Sequence, residues 1–387
     1  MTTLPLSCTA YALGIGPQSR VLPERYICYR TAEALVIDGK LDEPSWQQAP
    51  WTAYFVDIEG DLKPRPRFRT RVRMLWDDEY LYVAADMEEP HLWATVTERD
   101  VPVLANHDFE VFIDPDGDAH EYYELEMNAF NTVWDLFLVQ PYRDLGLVAP
   151  LSGDGSISPA VTAWDIAGLR TAVHLRGTIN QNADVDDGWS VELALPWKVL
   201  RECAHRPTPP EHGDQWRVNF SRVEHPIEKV GTTYQAKTGT PVDNWVWSPH
   251  GILNMHYPEL WGYVQFSTKV AGEGTDDFLL HPEEEAQRAL YQIYYSQKGY
   301  YREHGRFSDR WEELVTGEPG LVYYRWPPRI QVTESLFEAS LEEQEDLDDD
   351  GKRERWHIRQ DSKLWRGACS GGSEYPILPG RDAANPM

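Results

Sequence analysis

Two short runs of the sequence, 108–114 and 122–128, carry acidic or amide side chains at every second position. These side chains are Asp108, Glu110, Glu124, Glu126 and Asn128. Such groups suit hydrogen bonding to sugar hydroxyls or the binding of a hard cation. A facing pair such as Glu110 and Glu126 also suits acid–base cleavage of a glycoside. Alternate residues of a strand share a face, so both runs predict strands with one apolar and one polar face.

A second group of polar and aromatic residues lies further along the chain. It comprises Asn219, Arg222, Trp245, Trp247, Asn254 and His256. Trp245 and Trp247 share a face if they lie in a strand. Indole rings stack on the apolar faces of sugars, while amide and imidazole groups bond to hydroxyls. The pair is consistent with a stacking wall and equally with core packing.

Two acidic turns resemble calcium loops. Asp114, Asp116 and Asp118 form the first, and the second is 346–351, where His357 stands in place of the glutamate that a complete loop needs. Ordinary turns are the favoured interpretation of both, because their residues are turn formers. Structural calcium at Asp114, Asp116 and Asp118 is retained as the candidate cofactor.

Other metal chemistry has little support in the sequence. None of the 12 histidines occurs in an HxH or HExxH spacing. Met255 and His256 are residue types that ligate haem iron, but neighbours on a strand point to opposite faces. A haem-binding electron carrier is therefore kept as a minor alternative.

Composition limits the partners of the protein. The 387 residues carry a formal net charge of −27, which argues against nucleic acid and anionic membrane surfaces. No apolar segment reaches 18 residues, so no membrane span is predicted. The first 25 residues show no secretory signal in the chain as given. The four cysteines are scattered and do not fix the compartment.

The pattern of elements predicts an all-β protein with an appendage. Short alternating runs bounded by turn residues are typical of an antiparallel β-sandwich of jelly-roll or immunoglobulin-like type. Helical spacing appears in 282–303, and two strands are predicted at 331–341 and 353–360. The predicted organisation is an N-terminal extension (1–32), a sandwich (33–267), a helix-and-hairpin appendage (275–366) and a tail (367–387).

Four segments occur in the order seen in family 9 carbohydrate-binding modules: 37–46 (IDGKLDEPSW), 74–83 (MLWDDEYLYV), 108–114 (DFEVFID) and 188–197 (GWSVELALPW). The chain resembles that family and its stand-alone relatives. The resemblance implies a β-sandwich, a saccharide held between tryptophans, structural calcium and an extracytoplasmic location. It assigns Trp247 to a stacking tryptophan and Glu110 to an acidic sugar partner. A second stacking tryptophan is implied shortly before Glu110, where 104–107 contain none.

The first functional hypothesis is a non-catalytic protein of carbohydrate recognition or catabolism, with a saccharide or polysaccharide as partner. Its predicted binding residues are Glu110, Asn128, Asn219, Arg222, Trp245, Trp247 and His256. The alternative is a glycosidase in which Glu110 and Glu126 act as acid and base or nucleophile. A structural alternative pairs the carboxylates with arginines in a buried polar network.

Overall fold

The computed structural model describes residues 23–144, 158–348 and 351–368. The chain divides into two compact units. Unit 1 comprises Met1–Leu280 and Asp361–Lys363, and unit 2 comprises His281–Gln360 and Leu364–Met387. Most of the predicted N-terminal extension and nearly all of the predicted tail lie outside the described residues. Within the described ranges, no helix is both long and apolar enough to cross a membrane.

Unit 1 is built almost entirely of strands. They are β1 (Arg25–Arg30), β2 (Val56–Asp57), β3 (Thr70–Trp76), β4 (Tyr80–Met87), β5 (Asp108–Asp114), β6 (Tyr122–Asn128), β7 (Val133–Leu138), β8 (Ala160–Val161), β9 (Arg170–Arg176), β10 (Gly188–Pro196), β11 (Gln215–Glu224), β12 (Ile227–Val230), β13 (Thr233–Ala236), β14 (Asp243–Val246) and β15 (Gly262–Val270). Short helices are α1 (Pro44–Gln48), α2 (Trp197–Leu200) and the 3-10 turns Gly60–Leu62, Val103–Ala105, Tyr142–Asp144 and Pro258–Leu260.

The strands form a sandwich-like fold, which confirms the predicted fold class. Hydrogen bonding runs in the order β8-β7-β6-β5-β11-β15-β1-β3-β4-β10-β9, with β14 beside β11 and β2 beside β14. One apolar cluster contains residues of both halves of this order, such as Phe109 and Phe220 from one half and Val83 and Val191 from the other. The sheet therefore folds over a shared core. Two pairings depart from the predicted antiparallel pattern, because β1 runs parallel to both β15 and β3.

The hairpin of β3 and β4 shows how local sequence sets this framework. The carboxylate of Asp77 accepts hydrogen bonds from the backbone N–H groups of Glu79 and Tyr80, at 2.7 and 2.8 Å. Its second oxygen accepts the Tyr82 hydroxyl at 2.7 Å. Aspartate favours turns because it can bond to the backbone ahead of it. Asp77 therefore stabilises the tight turn at 77–79 with its own side chain.

Unit 2 contains one long helix and a small sheet. Helix α3 (Glu283–His304) begins with three glutamates after Pro282 and ends at Gly305, which has a φ of 68°. Acidic residues near the N-terminus and a left-handed glycine at the end stabilise such a helix, and the helix predicted from the spacing in 282–303 is present. The sheet has the order β16 (Arg329–Val332), β17 (Phe337–Glu342), β18 (Glu354–Arg359) and β19 (Leu364–Ala368). The predicted strand 331–341 is in fact two strands joined by a turn, and β19 was not predicted.

Candidate functional site

The alternating carboxylates lie where the sequence predicts. Strands β5 and β6 are antiparallel neighbours, with Glu110 opposite Glu126 and Asp108 opposite Asn128. The intervening residues of both strands enter the apolar core. Side-chain oxygens of Asp108, Glu110 and Glu126 all lie within 4.8 Å of one another. The shared polar face is therefore confirmed, and it concentrates negative charge.

A loop covers this polar face. The backbone N–H groups of Val103 and Leu104 each donate to Glu126 Oε2 at 3.0 Å. Asn128 is held by the same loop, because its amide donates to the carbonyl of Val96 at 2.8 Å. Glu110 is only 5% exposed and Asn128 is fully buried. In this conformation the predicted binding residues Glu110 and Asn128 present no surface to a saccharide.

Burial raises the pKa values of the acidic side chains on this face. Loss of solvation raises the pKa of Glu110 to about 7. Desolvation and the charges of its acidic neighbours hold the pKa of Asp108 well above its usual range, and desolvation and Glu110 do the same for Glu126. Either protons or a cation must therefore neutralise the group near neutral pH. One oxygen of Glu110 lies within 4.8 Å of one oxygen of Glu126, which is below the separation of about 5–5.5 Å between the carboxyl groups of retaining glycosidases. The covering loop leaves that pair without access to a substrate.

Trp245 and Trp247 lie in the core of the sandwich, where they are each 2% exposed. The ring of Trp247 packs so closely on Gly262 that a Cβ added there would lie 2.5 Å from it. Trp245 is also the β14 residue opposite Arg222 of β11. In this structure both side chains pack in the core and do not form the stacking wall that the sequence also allowed. Neither offers a ring face to solvent.

Asn219 belongs to a closed hydrogen-bond network. Its Oδ1 accepts from the backbone N–H groups of Phe220 and Ser248, both at 2.9 Å. This fixes the amide so that Nδ2 donates to the Ser248 carbonyl and to His250 Nε2, again at 2.9 Å. His250 Nε2 must then be an unprotonated acceptor, and Nδ1 donates to the Asn254 carbonyl at 2.8 Å. Asn219 therefore holds the loop that contains Ser248, His250 and Asn254, and the neutral ring of His250 links the two ends of this network.

Arg222 is the centre of a buried ion-pair network. It is fully buried, and its Nη2 donates to Glu89 Oε2 at 2.7 Å and to Glu224 Oε2 at 2.9 Å. His107 lies beside the same two glutamates, with ring nitrogen to carboxylate distances of 3.3 and 3.6 Å. These residues form the kind of buried carboxylate–arginine network that the structural alternative predicts.

His256 lies at the edge of the polar face and is held by its neighbours. Its Nδ1 pairs with the Tyr122 hydroxyl at 2.9 Å, and its ring contacts Tyr142 with centroids 4.5 Å apart. Met255 packs partly buried against a small apolar cluster that contains Trp261. A sugar-binding or haem-binding role for His256 stays a prediction.

The turn after β5 brings Asp114, Asp116 and Asp118 together, with oxygens within 4.8 Å. Both oxygens of Asp114 already accept backbone N–H groups, from Gly117 at 2.9 Å and Ala119 at 3.0 Å. These bonds are the ones that an Asp-rich turn makes for itself. The geometry therefore fits a self-stabilised turn, and calcium at these residues stays a prediction.

The sequence model of a family described as "Carbohydrate family 9 binding domain-like" matches residues 37–141. This segment holds β2 to β7, including both acidic strands. Residues 37–141 are therefore similar to a family 9 carbohydrate-binding domain. The fourth landmark segment, 188–197, lies beyond the matched residues.

Solved structures add a weaker comparison to the family-9-like match. A family 9 carbohydrate-binding module from Caldicellulosiruptor kristjanssonii, in complex with cellotriose, is 16% identical, covers 65% of this chain and 98% of its own, and has a TM-score of 0.39. A crystal structure of a protein from Bacteroides uniformis is 14% identical, covers 63% and 99%, and has a TM-score of 0.44. No curated protein matches the chain significantly.

One buried side chain joins the first and fourth family-9-like segments. Glu192, on β10, accepts the backbone N–H groups of Asp38 and Gly39 at 3.0 and 2.8 Å. Its other oxygen accepts the indole N–H of Trp46 at 2.7 Å. Gly39 cannot be replaced easily, because it has a φ of 84° and a Cβ there would lie 2.6 Å from the backbone of His174. The physical role of these two segments is therefore to attach an N-terminal loop to the sheet.

Unit 1 also has an open concavity that the sequence does not predict. It has a volume of about 490 Å³ and is lined by residues from β1, from the segment after α1 and from the turn after β15. Polar and aromatic side chains in it are Arg25, Tyr26, Tyr29, Gln48 and Trp51. They are far apart in sequence and lie in no alternating run, so only the fold brings them together.

The neutral state of His250 predicts acid sensitivity of unit 1. Burial lowers the pKa of His250 to about 4 from an ordinary value of 6.5. The unfolded chain then binds the extra proton first, so stability present above pH 6.5 is lost as the pH falls through 4. We expect this residue to contribute about 2–3 kcal/mol to that loss. The check is urea unfolding between these pH values for the wild type and His250→Asn. An unchanged slope with pH in the variant would contradict the assignment.

Proposed function

We propose that this protein binds carbohydrate. The observation that carries the proposal is the match of residues 37–141 to a family defined by carbohydrate binding. The family 9 module from Caldicellulosiruptor kristjanssonii has been solved in complex with cellotriose and with glucose, which makes glucose-based oligosaccharides the first ligands to try.

We place the saccharide in the open concavity around Trp51 rather than on the acidic strands. A volume of about 490 Å³ lies in the range of small-molecule sites. Its lining includes the partly buried indole of Trp51, the amide of Gln48 and the guanidinium of Arg25, which are groups that can stack on a sugar and hydrogen-bond to its hydroxyls. The acidic face, by contrast, is closed by the loop that contains Val103 and Leu104.

The orientation of Trp51 is set by charged neighbours. The guanidinium groups of Arg71 and Arg73 lie 4.1 and 3.4 Å from the centroid of its ring. Cation–π contacts of this kind restrict the ring before a ligand arrives. A fixed ring reduces the conformational entropy lost on binding. Trp51 is only partly buried, so it remains available to a ligand at the rim of the concavity.

Glycan-array screening followed by calorimetry on the best ligand tests the proposal. We expect Trp51→Ala to weaken binding by about 1–3 kcal/mol, the scale of one lost aromatic contact, or roughly 5- to 150-fold in Kd. Phe130→Ala is the matched control, because Phe130 is an exposed aromatic residue outside the concavity and its loss should leave Kd unchanged.

Two results would count against this placement or the function itself. If Glu110→Gln abolishes binding and Trp51→Ala does not, the saccharide binds at the acidic face after the covering loop has moved. If no glycan binds the wild-type protein on the array or in calorimetry, the proposed function is wrong. Release of reducing sugar from a polysaccharide, lost in Glu110→Gln, would instead support the glycosidase alternative.

A further inference from the structure

The open concavity around Trp51 has a cationic donor and no carboxylate in its lining. Of the described residues that line it, Arg25 is the only charged one. The whole chain has 63 acidic against 36 basic residues, so a lining without an acid runs against the composition. The sign of this charge indicates the chemistry of the ligand.

Arg25 is held in position without being neutralised. Its guanidinium lies 5.1 Å from the centroid of the Phe278 ring, and the residue is exposed at the start of β1. In the part of the chain that the structure describes, no carboxylate lies within ion-pair distance of it, and Glu24 acts on it only at longer range. Its N–H donors, arranged in a fork that matches a carboxylate, therefore remain available to a ligand.

A second arginine close to Trp51 also lacks a counter-charge. Arg73 is 6% exposed, and its guanidinium lies against the Trp51 ring. Its Nη1 donates to the carbonyl of Trp46, but its buried Nε has no hydrogen-bond partner, and among the described residues it forms no ion pair. Burial and the charge of Arg71 lower the pKa of Arg73 to about 10, so it is still protonated at neutral pH. A buried cation without a partner is costly, and a negative group bound against Trp51 would reduce that cost.

The attraction of an anion to this place is local. The chain carries a formal net charge of −27, so its overall field does not draw anions in. Exposed charges are largely screened beyond about 8 Å at physiological ionic strength. Glu24 and Glu273 are neighbours of lining residues in the sequence but do not themselves line the concavity, and Asp276 is paired with Lys269. Selectivity must therefore come from direct contact with the cationic groups.

The neutral groups of the lining can hold a sugar ring beside this charge. The exposed side chain of Gln48 lies over Gly272, where an added Cβ would be 2.9 Å from its Oε1. Its amide makes no hydrogen bond to another described residue, whereas the Tyr26 hydroxyl already donates to the Pro50 carbonyl at 2.7 Å. Gln48 is thus available to sugar hydroxyls, which leaves the arginine for a different group.

We propose that the saccharide bound in this concavity carries a carboxylate, as a uronic acid does, and that Arg25 is the residue that selects it. The inference rests on the proposed carbohydrate-binding function and adds the class of sugar. A guanidinium can donate two parallel hydrogen bonds to a carboxylate, and such charge-assisted bonds are about twice as strong as neutral ones. The hydroxymethyl group of a neutral sugar offers a single uncharged oxygen in the same place. The concavity should therefore discriminate between sugars that differ only in this group.

The test compares two matched pairs of ligands by calorimetry near neutral pH, where a uronic acid is ionised. The first pair is cellotriose and the β-1,4-linked trimer of glucuronic acid, which differ only at C6 of each ring. The second pair is the trimer of galacturonic acid and its methyl ester, which differ in charge. In at least one pair, the acid should bind the wild type about 10-fold more tightly than its neutral partner.

Arg25→Gln should bring the two Kd values of that pair close together. The ratio is the measured quantity, because Arg25 lies in the concavity and its loss can change both affinities. Arg25→Lys keeps the charge without the planar fork, so it should keep part of the preference. Arg65→Gln is the matched control, because Arg65 is exposed, lies outside the lining and forms no ion pair among the described residues. It should change neither Kd.

The outcomes separate this inference from the proposed function. If the neutral sugars bind as tightly as the acids, or if Arg25→Gln keeps the wild-type ratio, the inference is overturned and carbohydrate binding stands. If no member of either pair and no glycan on the array binds the wild type, both are overturned. Arg25 is exposed, so both of its variants should melt at the wild-type temperature and the comparison of ratios applies to folded protein.

Discussion

Replacing Arg222 by methionine should destabilise the sandwich by about 3–5 kcal/mol, because removing one partner of a buried ion pair leaves the other charges uncompensated. Arg222 is fully buried between Glu89 and Glu224, and its Nη1 also donates to the Thr70 hydroxyl at 3.0 Å. Methionine fills a similar volume but supplies none of these donors. Urea unfolding of the two proteins at the same pH measures the difference.

Arg67→Met is the matched control for Arg222→Met. Arg67 reaches the same carboxylate network from outside, with its side chain 49% exposed and 3.9 Å from Glu224. Exposed ion pairs of this type contribute about 0–1 kcal/mol, so its loss should change little. Similar unfolding midpoints for Arg222→Met and the wild type would show that the network contributes no net stability. A sugar that binds the wild type and not a folded Arg222→Met protein would restore the predicted binding role.

Replacing Glu192 by alanine should cost about 3–5 kcal/mol, because three donors lose their buried acceptor and a cavity remains. The donors are the N–H groups of Asp38 and Gly39 and the indole of Trp46, which is fully buried. Thermal unfolding followed by circular dichroism measures the loss.

The control for Glu192→Ala is Glu79→Ala in the exposed turn between β3 and β4. Surface changes of this kind usually stay within about 0.5 kcal/mol of the wild type. If both alanine variants melt at the same temperature, the loop that begins at Asp38 is held by something other than Glu192. The first and fourth family-9-like segments would then not attach the N-terminal loop to the sheet in the way described above.

The sequence predicts the strands and their faces well, because side chains alternate between the two faces of a strand and this alternation can be read from neighbouring residues. Alternation in β5 and β6 placed Glu110 and Glu126 on one face, and the structure puts them directly opposite each other. The cover over that face could not be predicted in the same way. It is formed by backbone N–H groups of Val103 and Leu104, and backbone groups are the same whatever the residue.

The tryptophan pair shows a second limit of sequence reasoning. A stacking wall and a core both need aromatic side chains on one face, so the spacing of Trp245 and Trp247 fits either. What decides between them is the residue each ring meets. Trp247 meets Gly262, whose missing side chain makes room for the indole, and this contact belongs to the fold rather than to any local pattern.

The parallel strand β1 has a consequence for how the chain reaches its fold. Arg25 pairs with Tyr263, almost the full length of unit 1 away, and β15 is the strand that links β11 to β1 and so joins the two halves of the sheet. Contact order is high for such a topology, and folding is correspondingly slow. During synthesis the halves can form separately, but the ladder between them waits for residues 262–270 to leave the ribosome. Until then the edges of β1 and β11 that face β15 are unpaired, so the nascent chain is most prone to aggregation just before the last strand of this sheet arrives.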